Sequence, residues 1–133
     1  MNLVDTSVWI GYFNGNNSPA TECLDNLLIE GTVAIGDLIY LEILQGFRSD
    51  KDYRVAKKRL ETLTNYDLLG LDSVEQCASN YRILRNKGVT VRKTTDVIIA
   101  SFCIQNKMPL LFLDRDFIPF VKYLGLSPVL KEV

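Results

Sequence analysis

The chain has 133 residues, of which 47% are hydrophobic and 23% are charged, and its formal net charge is −1. This length and composition suit one globular domain with a real core, so we expect a single domain over residues 1–133. Histidine is absent, which excludes Ser-His-Asp hydrolases, ribonucleases with paired imidazoles and zinc sites with histidine ligands.

The strand signals come first along the chain. Short apolar runs predict strands at residues 2–4, 32–35, 67–71 and 110–113, with a weaker one near residues 127–130. Longer segments of helical period separate these runs. Such alternation predicts an α/β fold, with a central parallel sheet of four to five strands and helices on both faces.

Punctuating residues indicate where the helices begin and end. Ser18 and Pro19 predict the start of a helix, and Gly31 predicts its end. Asp37 is expected to cap the next helix, which carries Glu42.

A third helix shows a capping-box pattern. Asp72 or Ser73, followed three residues later by Glu75 or Gln76, predicts its start, and the pair Lys87-Gly88 would end it. The sequence contains no repeats, low-complexity tracts or interdomain linkers.

The cysteines and the amino terminus bear on the cellular compartment. Cys23, Cys77 and Cys103 are widely spaced, so we expect them to be reduced and structural. No basic region precedes Asp5, so no signal peptide is visible. The longest apolar runs have about eight residues, against the ~20 that a membrane helix needs. The sequence therefore predicts a cytoplasmic protein without a membrane span.

Five carboxylates lie beside apolar runs, where a charge is hardest to accommodate. If the strands at residues 2–4 and 110–113 are parallel, their carboxyl ends meet at the edge where open α/β sheets bind ligands. Helical spacing turns Glu42 toward the core edge. Asp96 is expected in the first turn of a buried helix. The five acids are Asp5, Glu42, Asp96, Asp114 and Asp116.

Mutual repulsion decides what such a cluster needs. Two carboxylates ~4 Å apart repel by about 4 kcal/mol at an effective dielectric of about 20, so protons or cations must intervene. Oxygen ligands suit Mg²⁺ or Mn²⁺, whereas zinc favours imidazole or thiolate. Such ions serve chiefly where phosphate oxygens complete the coordination shell, so we expect phosphodiester hydrolysis.

Each acid also has a structural explanation when it is taken alone. Asp5 would cap the following helix, and Asp96 would favour the helix dipole. Asp114 and Asp116 would be cap or turn residues, and Glu42 would sit at the exposed margin of an amphipathic helix. The joint pattern favours a site.

Basic residues cluster in two segments. Residues 48–59 contain six basic residues and two acids, and residues 82–93 contain five basic residues and no acid. Such stripes bind phosphate without regard to sequence, although they also occur as solvated helix faces. Arg92 and Lys93 are the better candidates for substrate contacts because they closely precede Asp96.

Four blocks in order, at residues 3–10, 42–46, 90–100 and 114–117, resemble the PIN-domain ribonucleases, most closely the VapC-like toxins of bacterial toxin-antitoxin pairs. The resemblance runs from Leu3 to about Leu126. It implies a small three-layer α/β/α sandwich and a Mg²⁺- or Mn²⁺-dependent endoribonuclease that cuts structured RNA, commonly a tRNA or a ribosomal RNA loop. It also implies a homodimer, and an antitoxin whose segment covers the site, frequently with a basic side chain among the carboxylates.

The resemblance assigns residues by position. Hydroxyl residues near the site would be Thr6 and Ser7, and the chain departs from the family pattern at Phe112 and Leu113, where a Ser or Thr often stands. The metal-binding and catalytic acids would be Asp5, Glu42, Asp96 and Asp114, with Asp116 a fifth acid whose role varies.

Two other functions remain open. Asp114-Arg115-Asp116 has the Asp-x-Asp form of phosphatases with an aspartate nucleophile, but those enzymes place it after the first strand and not after the last core strand. The second alternative is a non-catalytic RNA- or protein-binding module with the same fold. Buried unpaired carboxylates argue against it, because they are costly unless something uses them.

Overall fold

Strands and helices alternate along residues 1–131, which the computed structural model describes. The strands are β1 (Asn2–Val4), β2 (Val33–Gly36), β3 (Thr64–Tyr66) and β4 (Leu110–Leu111). The helices are α1 (Thr6–Phe13), α2 (Pro19–Glu30), α3 (Asp37–Gln45), α4 (Asp50–Leu60), α5 (Val74–Asn86), α6 (Thr94–Gln105) and α7 (Ile118–Leu124). Short 3₁₀ turns over Leu71–Ser73 and Arg115–Phe117 precede α5 and α7.

All four strands are parallel, in the order β3-β2-β1-β4. Within β1, Leu3 pairs with Ala34 of β2 and Leu110 of β4, and Val4 pairs with Leu111. The helices form two packed groups, α1 to α4 and α5 to α7, which flank the sheet. This three-layer α/β/α arrangement confirms the predicted fold class.

The strand predictions were confirmed in part. β1 has the predicted bounds, and β2 and β4 lie within a residue or two of theirs. The third strand was placed too late, at residues 67–71, because Leu68 is apolar and buried although it follows the ladder. The weak strand near residues 127–130 is reduced to one bridge between Leu110 and Pro128, and proline has no N–H for a ladder bond.

The helix that begins near Ser18 is confirmed. The Ser18 side chain accepts from the backbone N–H of Thr21, and Gly31 ends the helix in the left-handed region with φ of 73°. Asp37, by contrast, is the first residue of α3 and not its cap. Its Oδ1 accepts from the backbone N–H groups of Leu38, at 2.8 Å, and Leu68, at 3.0 Å, so it ties α3 to the segment after β3.

The predicted capping box of α5 is wrong. Asp72 and Ser73 belong to the preceding 3₁₀ turn, and the Ser73 side chain makes no cap hydrogen bond. The predicted end is confirmed, since α5 stops at Lys87 and Gly88 has φ of 81°.

The cysteines and the apolar helices of the structure agree with the predictions from the sequence. All three cysteines are free, and Cys77 and Cys103 are buried. Among residues 1–131, no helix combines the length and the apolar character needed to cross a membrane.

Gly36 is required at the end of β2 because Leu68 packs directly on its α-carbon side. A Cβ at this position would overlap the Leu68 side chain, which is buried. We expect Gly36→Ala to lower the free energy of unfolding by about 1–3 kcal/mol, as overpacking does. The control is Gly11→Ala in α1, where the nearest side-chain atom is 3.6 Å from the added Cβ. Urea titration of both variants measures the difference, and equal stabilities would contradict the packing argument.

Candidate metal centre

Asp5 follows β1 directly and is only 6% exposed. Its backbone N–H donates to the carbonyl of Leu111 at 2.9 Å, which extends the pairing of β1 with β4. Its carboxylate accepts from the Ser7 hydroxyl at 2.9 Å and from the Ser7 backbone N–H at 3.4 Å. Asp5 is therefore both the cap of α1 and an acid at the carboxyl edge of the sheet.

Glu42 reaches the same edge from α3. The Thr6 hydroxyl donates to Glu42 Oε1 at 2.6 Å, which joins the first turn of α1 to the middle of α3. The negative charge of Glu42 contributes to the raised pKa of Asp5, although burial is the main cause of that shift. We call the carboxyl edge of the sheet that carries Asp5 the acid edge. Glu42 lies at its margin, as its helical spacing predicted.

The other three acids form a tight group. Carboxylate oxygens of Asp96, Asp114 and Asp116 all lie within 4.8 Å of one another. Asp96 is in the first turn of α6, as predicted, and the other two follow β4. The backbone N–H of Asp116 donates to Asp114 Oδ1 at 2.9 Å, so the turn after β4 orients Asp114.

Asp96 has the least favourable environment for a negative charge in this group. It is 6% exposed, and its Oδ2 is buried without a hydrogen-bond partner among the described residues. Burial and the charges of Asp5 and Asp114 raise its pKa to about 6, against a smaller opposing effect of Lys93. An unpartnered anionic oxygen that faces other carboxylates is a suitable ligand for a cation.

Arg92 supplies a cation from within the chain. Its Nη2 donates to Asp116 Oδ2 at 2.9 Å and to Oδ1 at 3.1 Å, and its Nε donates to Oδ2 at 3.2 Å. Its side chain is 72% exposed, so solvent screens much of this pair. Sequence reasoning placed Arg92 near the acids but missed this partner, since 24 residues separate the two.

The structure therefore brings all five predicted acids to one edge of the sheet. The donor set consists of oxygens, which fits a hard divalent cation, and the buried Asp96 Oδ2 has no hydrogen-bond partner among the described residues. Thr6 and Ser7 donate to carboxylates, and Lys93 precedes α6 as its cap residue. Contacts of these three residues with RNA remain a prediction.

Comparison with known proteins agrees with this fold. The profile of the PIN domain matches residues 3–121. The chain is 30% identical over 119 residues to VapC ribonuclease Mb1587 of Mycobacterium bovis and to ribonuclease VapC11 of Mycobacterium tuberculosis, which covers 88% of this chain and 89% of each relative. The chain therefore belongs to the PIN-domain family, among its VapC-like members.

Solved structures show the same fold at lower identity. A chain in the crystal structure of VapBC2 from Rickettsia felis, bound to a DNA fragment from their promoter, superposes with a TM-score of 0.76 at 18% identity. A chain of FitAcB from Neisseria gonorrhoeae superposes with a TM-score of 0.68, also at 18% identity. Each match covers 96% of both chains.

The raised pKa of Asp96 makes a prediction about stability. The native state binds a proton here more tightly than the unfolded chain, so the metal-free protein loses stability as pH rises from about 4 to about 6. Asp96→Asn should therefore stabilise the metal-free protein at pH 7, by about 1–3 kcal/mol, and by much less at pH 4.5. Urea titrations in EDTA at both pH values measure this.

The matched control is Asp25→Asn, which removes an exposed carboxylate from α2. It should change stability little at either pH. A destabilised Asp96→Asn protein at pH 7 would show that Asp96 has a structural partner.

Proposed function

We propose that the chain is a Mg²⁺-dependent endoribonuclease, with Mn²⁺ as a substitute, that cleaves structured RNA such as a tRNA or a ribosomal RNA loop. The observation that carries this proposal is the buried, unpartnered Asp96 oxygen among facing carboxylates at the carboxyl edge of a parallel sheet. The names of the two mycobacterial relatives support ribonuclease activity.

The acids would share the work of holding the metal. Asp96, Asp114 and Asp116 are close enough to contact one ion, and Asp5 and Glu42 would contribute further carboxylate oxygens. A bound Mg²⁺ supplies an activated water and stabilises the leaving oxygen of the phosphodiester. The Ser7 and Thr6 hydroxyls hold the carboxylates of Asp5 and Glu42 in position, so the ligands are oriented before metal enters.

Arg92 and Lys93 would bind the substrate. Both stand immediately before α6, at the mouth of the acid edge, and both are exposed. The guanidinium of Arg92 would exchange Asp116 for an RNA phosphate, which it can also bind in a bidentate geometry.

We also infer that the chain is the toxin of a type II toxin-antitoxin pair and acts in the cytoplasm as a single-domain homodimer. The similar chain from Rickettsia felis belongs to VapBC2, and another similar chain belongs to a toxin-antitoxin complex from Klebsiella pneumoniae. The pairing of Arg92 with Asp116 supports a covering partner, since a guanidinium demonstrably fits this edge. An antitoxin basic side chain would take a similar place.

Cleavage should need both the metal and the acid cluster. Purified protein free of antitoxin, incubated with total cellular RNA and Mg²⁺, should produce discrete new ends that EDTA abolishes. Asp5→Asn, Asp96→Asn and Asp114→Asn should each reduce cleavage by at least about a hundredfold while folding is retained. Mapping of RNA ends measures this, with Asp25→Asn as the active control.

Metal binding without RNA cleavage would instead favour a non-catalytic module. Equal cleavage in EDTA would refute metal dependence.

Arg92 should compete with the metal for Asp116. Arg92→Ala removes that competitor and one positive charge, so Mg²⁺ should bind the variant a few-fold more tightly. The same change should weaken RNA binding. Isothermal titration calorimetry measures the metal, with Lys107→Ala as a control that removes an exposed charge elsewhere. Weaker Mg²⁺ binding by Arg92→Ala would contradict competition.

A further inference from the structure

Helices α1 and α3 pack along a line that begins at the acid edge. The Thr6–Glu42 hydrogen bond marks its near end. At its far end the rings of Phe13 and Phe47 meet edge-on, with centroids 5.8 Å apart. At a rise of roughly 1.5 Å per residue, Phe13 lies about 10 Å along α1 from Thr6. We call this line the α1–α3 seam.

A cavity of about 620 Å³ opens at the far end of the seam. A smaller cavity of about 140 Å³ shares the walls at Phe13 and Phe47 and also contacts Ile10 and Ile43, one helical turn nearer to Glu42. The two cavities therefore share aromatic walls, and the smaller one lies nearer to the acid edge. The larger volume is in the range of small-ligand sites.

The charges of the larger cavity favour an anion. Arg48 follows α3, and Arg59 lies in the last turn of α4, so two distant parts of the basic segment converge here. Within residues 1–131, neither arginine forms an ion pair. Among the described residues, Asp52 is the one acid on the cavity wall, so the two arginines leave this wall with a net positive charge. Paired guanidinium groups are well suited to phosphate oxygens.

Three aromatic side chains contribute to the remaining walls. Tyr12, Phe13 and Phe47 are half-buried and line the cavity beside the arginines. Aromatic side chains next to a cationic groove are the usual means of holding the bases of single-stranded RNA, since every base has a face that stacks.

We propose that this cavity is a nucleotide subsite for the RNA strand, a few nucleotides from the scissile phosphate. Arg48 and Arg59 bind its phosphate, and the base packs on the rings of Phe13 and Phe47. The assignment rests on the proposed ribonuclease function and specifies where the substrate strand runs. A nucleotide is favoured over an apolar protein segment, because the cavity walls are mostly polar and such a segment would bury two unpaired arginines.

The test compares two charge-matched double variants in the Asp96→Asn background, which prevents cleavage. Arg48→Ala/Arg59→Ala empties the cavity of cations, and Arg54→Ala/Lys58→Ala removes two exposed charges from α4 outside the cavity. Fluorescence anisotropy with labelled unfractionated tRNA and with a mixed-sequence single-stranded 12-mer measures affinity. We expect the cavity variant to lose about tenfold or more in RNA affinity and to show a lower salt slope. The control should lose less than about threefold in affinity.

A second readout is positional. After the cleavage site is mapped, 4-thiouridine placed at successive nucleotides around it should cross-link at one position to the peptide that contains Phe47. Phe47→Leu, which keeps an apolar side chain but removes the ring, should lose that cross-link while the fold is retained.

Three results would overturn the subsite. They are equal RNA affinities of the two double variants, absence of the Phe47 cross-link, and loss of antitoxin binding with unchanged RNA affinity in the cavity variant. The last would assign the cavity to a protein partner. The proposed function fails separately, if wild-type protein with Mg²⁺ cuts no RNA.

Discussion

The pairing of β1 with β4 is the constraint on which the site depends. The two strands are separated by more than a hundred residues, yet their register places the backbone N–H of Asp5 on the carbonyl of Leu111. Because the strands are parallel, the chain leaves both at the same edge, and the acids that follow each strand must meet there. The apolar residues of β1, fully buried on both faces, supply the free energy that imposes this meeting.

Hydrogen bonds from neighbouring side chains offset part of the repulsion among these carboxylates. Asp5 accepts from Ser7, Glu42 accepts from Thr6, and Asp116 accepts from Arg92. The Asp96 Oδ2 has no hydrogen-bond partner among the described residues, and burial, together with the charges of Asp5 and Asp114, raises the pKa of Asp96 to about 6. A divalent cation would relieve the remaining repulsion. On the proposed function, the instability of the metal-free site and its affinity for a metal would have one cause.

Sequence reasoning reached the layers and the acid edge because both follow from local patterns. Short apolar runs predict strands, and an acid directly after such a run must lie at a strand end. The third strand was misplaced because a buried residue need not be paired in the sheet. Leu68 is buried against Gly36, yet it lies beyond the ladder of β3. Asp37 failed as a cap because its carboxylate serves Leu68 in another segment, a partner that no local pattern shows.

Long-range side-chain contacts could not be predicted from the sequence either, because local patterns do not show partners in other segments. Nothing in residues 48–59 indicates that Arg48 and Arg59 face one cavity, since they come from a loop and a helix end. A helical-wheel argument treats that segment as one solvated face. The convergence depends on the packing of α4 against α3, which is a tertiary property.

Electron paramagnetic resonance titration of Mn²⁺ into metal-free protein tests the central claim most directly, because only free Mn²⁺ gives the sharp signal. The account predicts saturable binding at pH 7, about tenfold weaker binding at pH 5 where Asp96 carries a proton, and loss of that site in Asp96→Asn. Absence of binding at millimolar Mn²⁺, or equal binding by Asp96→Asn, would contradict it.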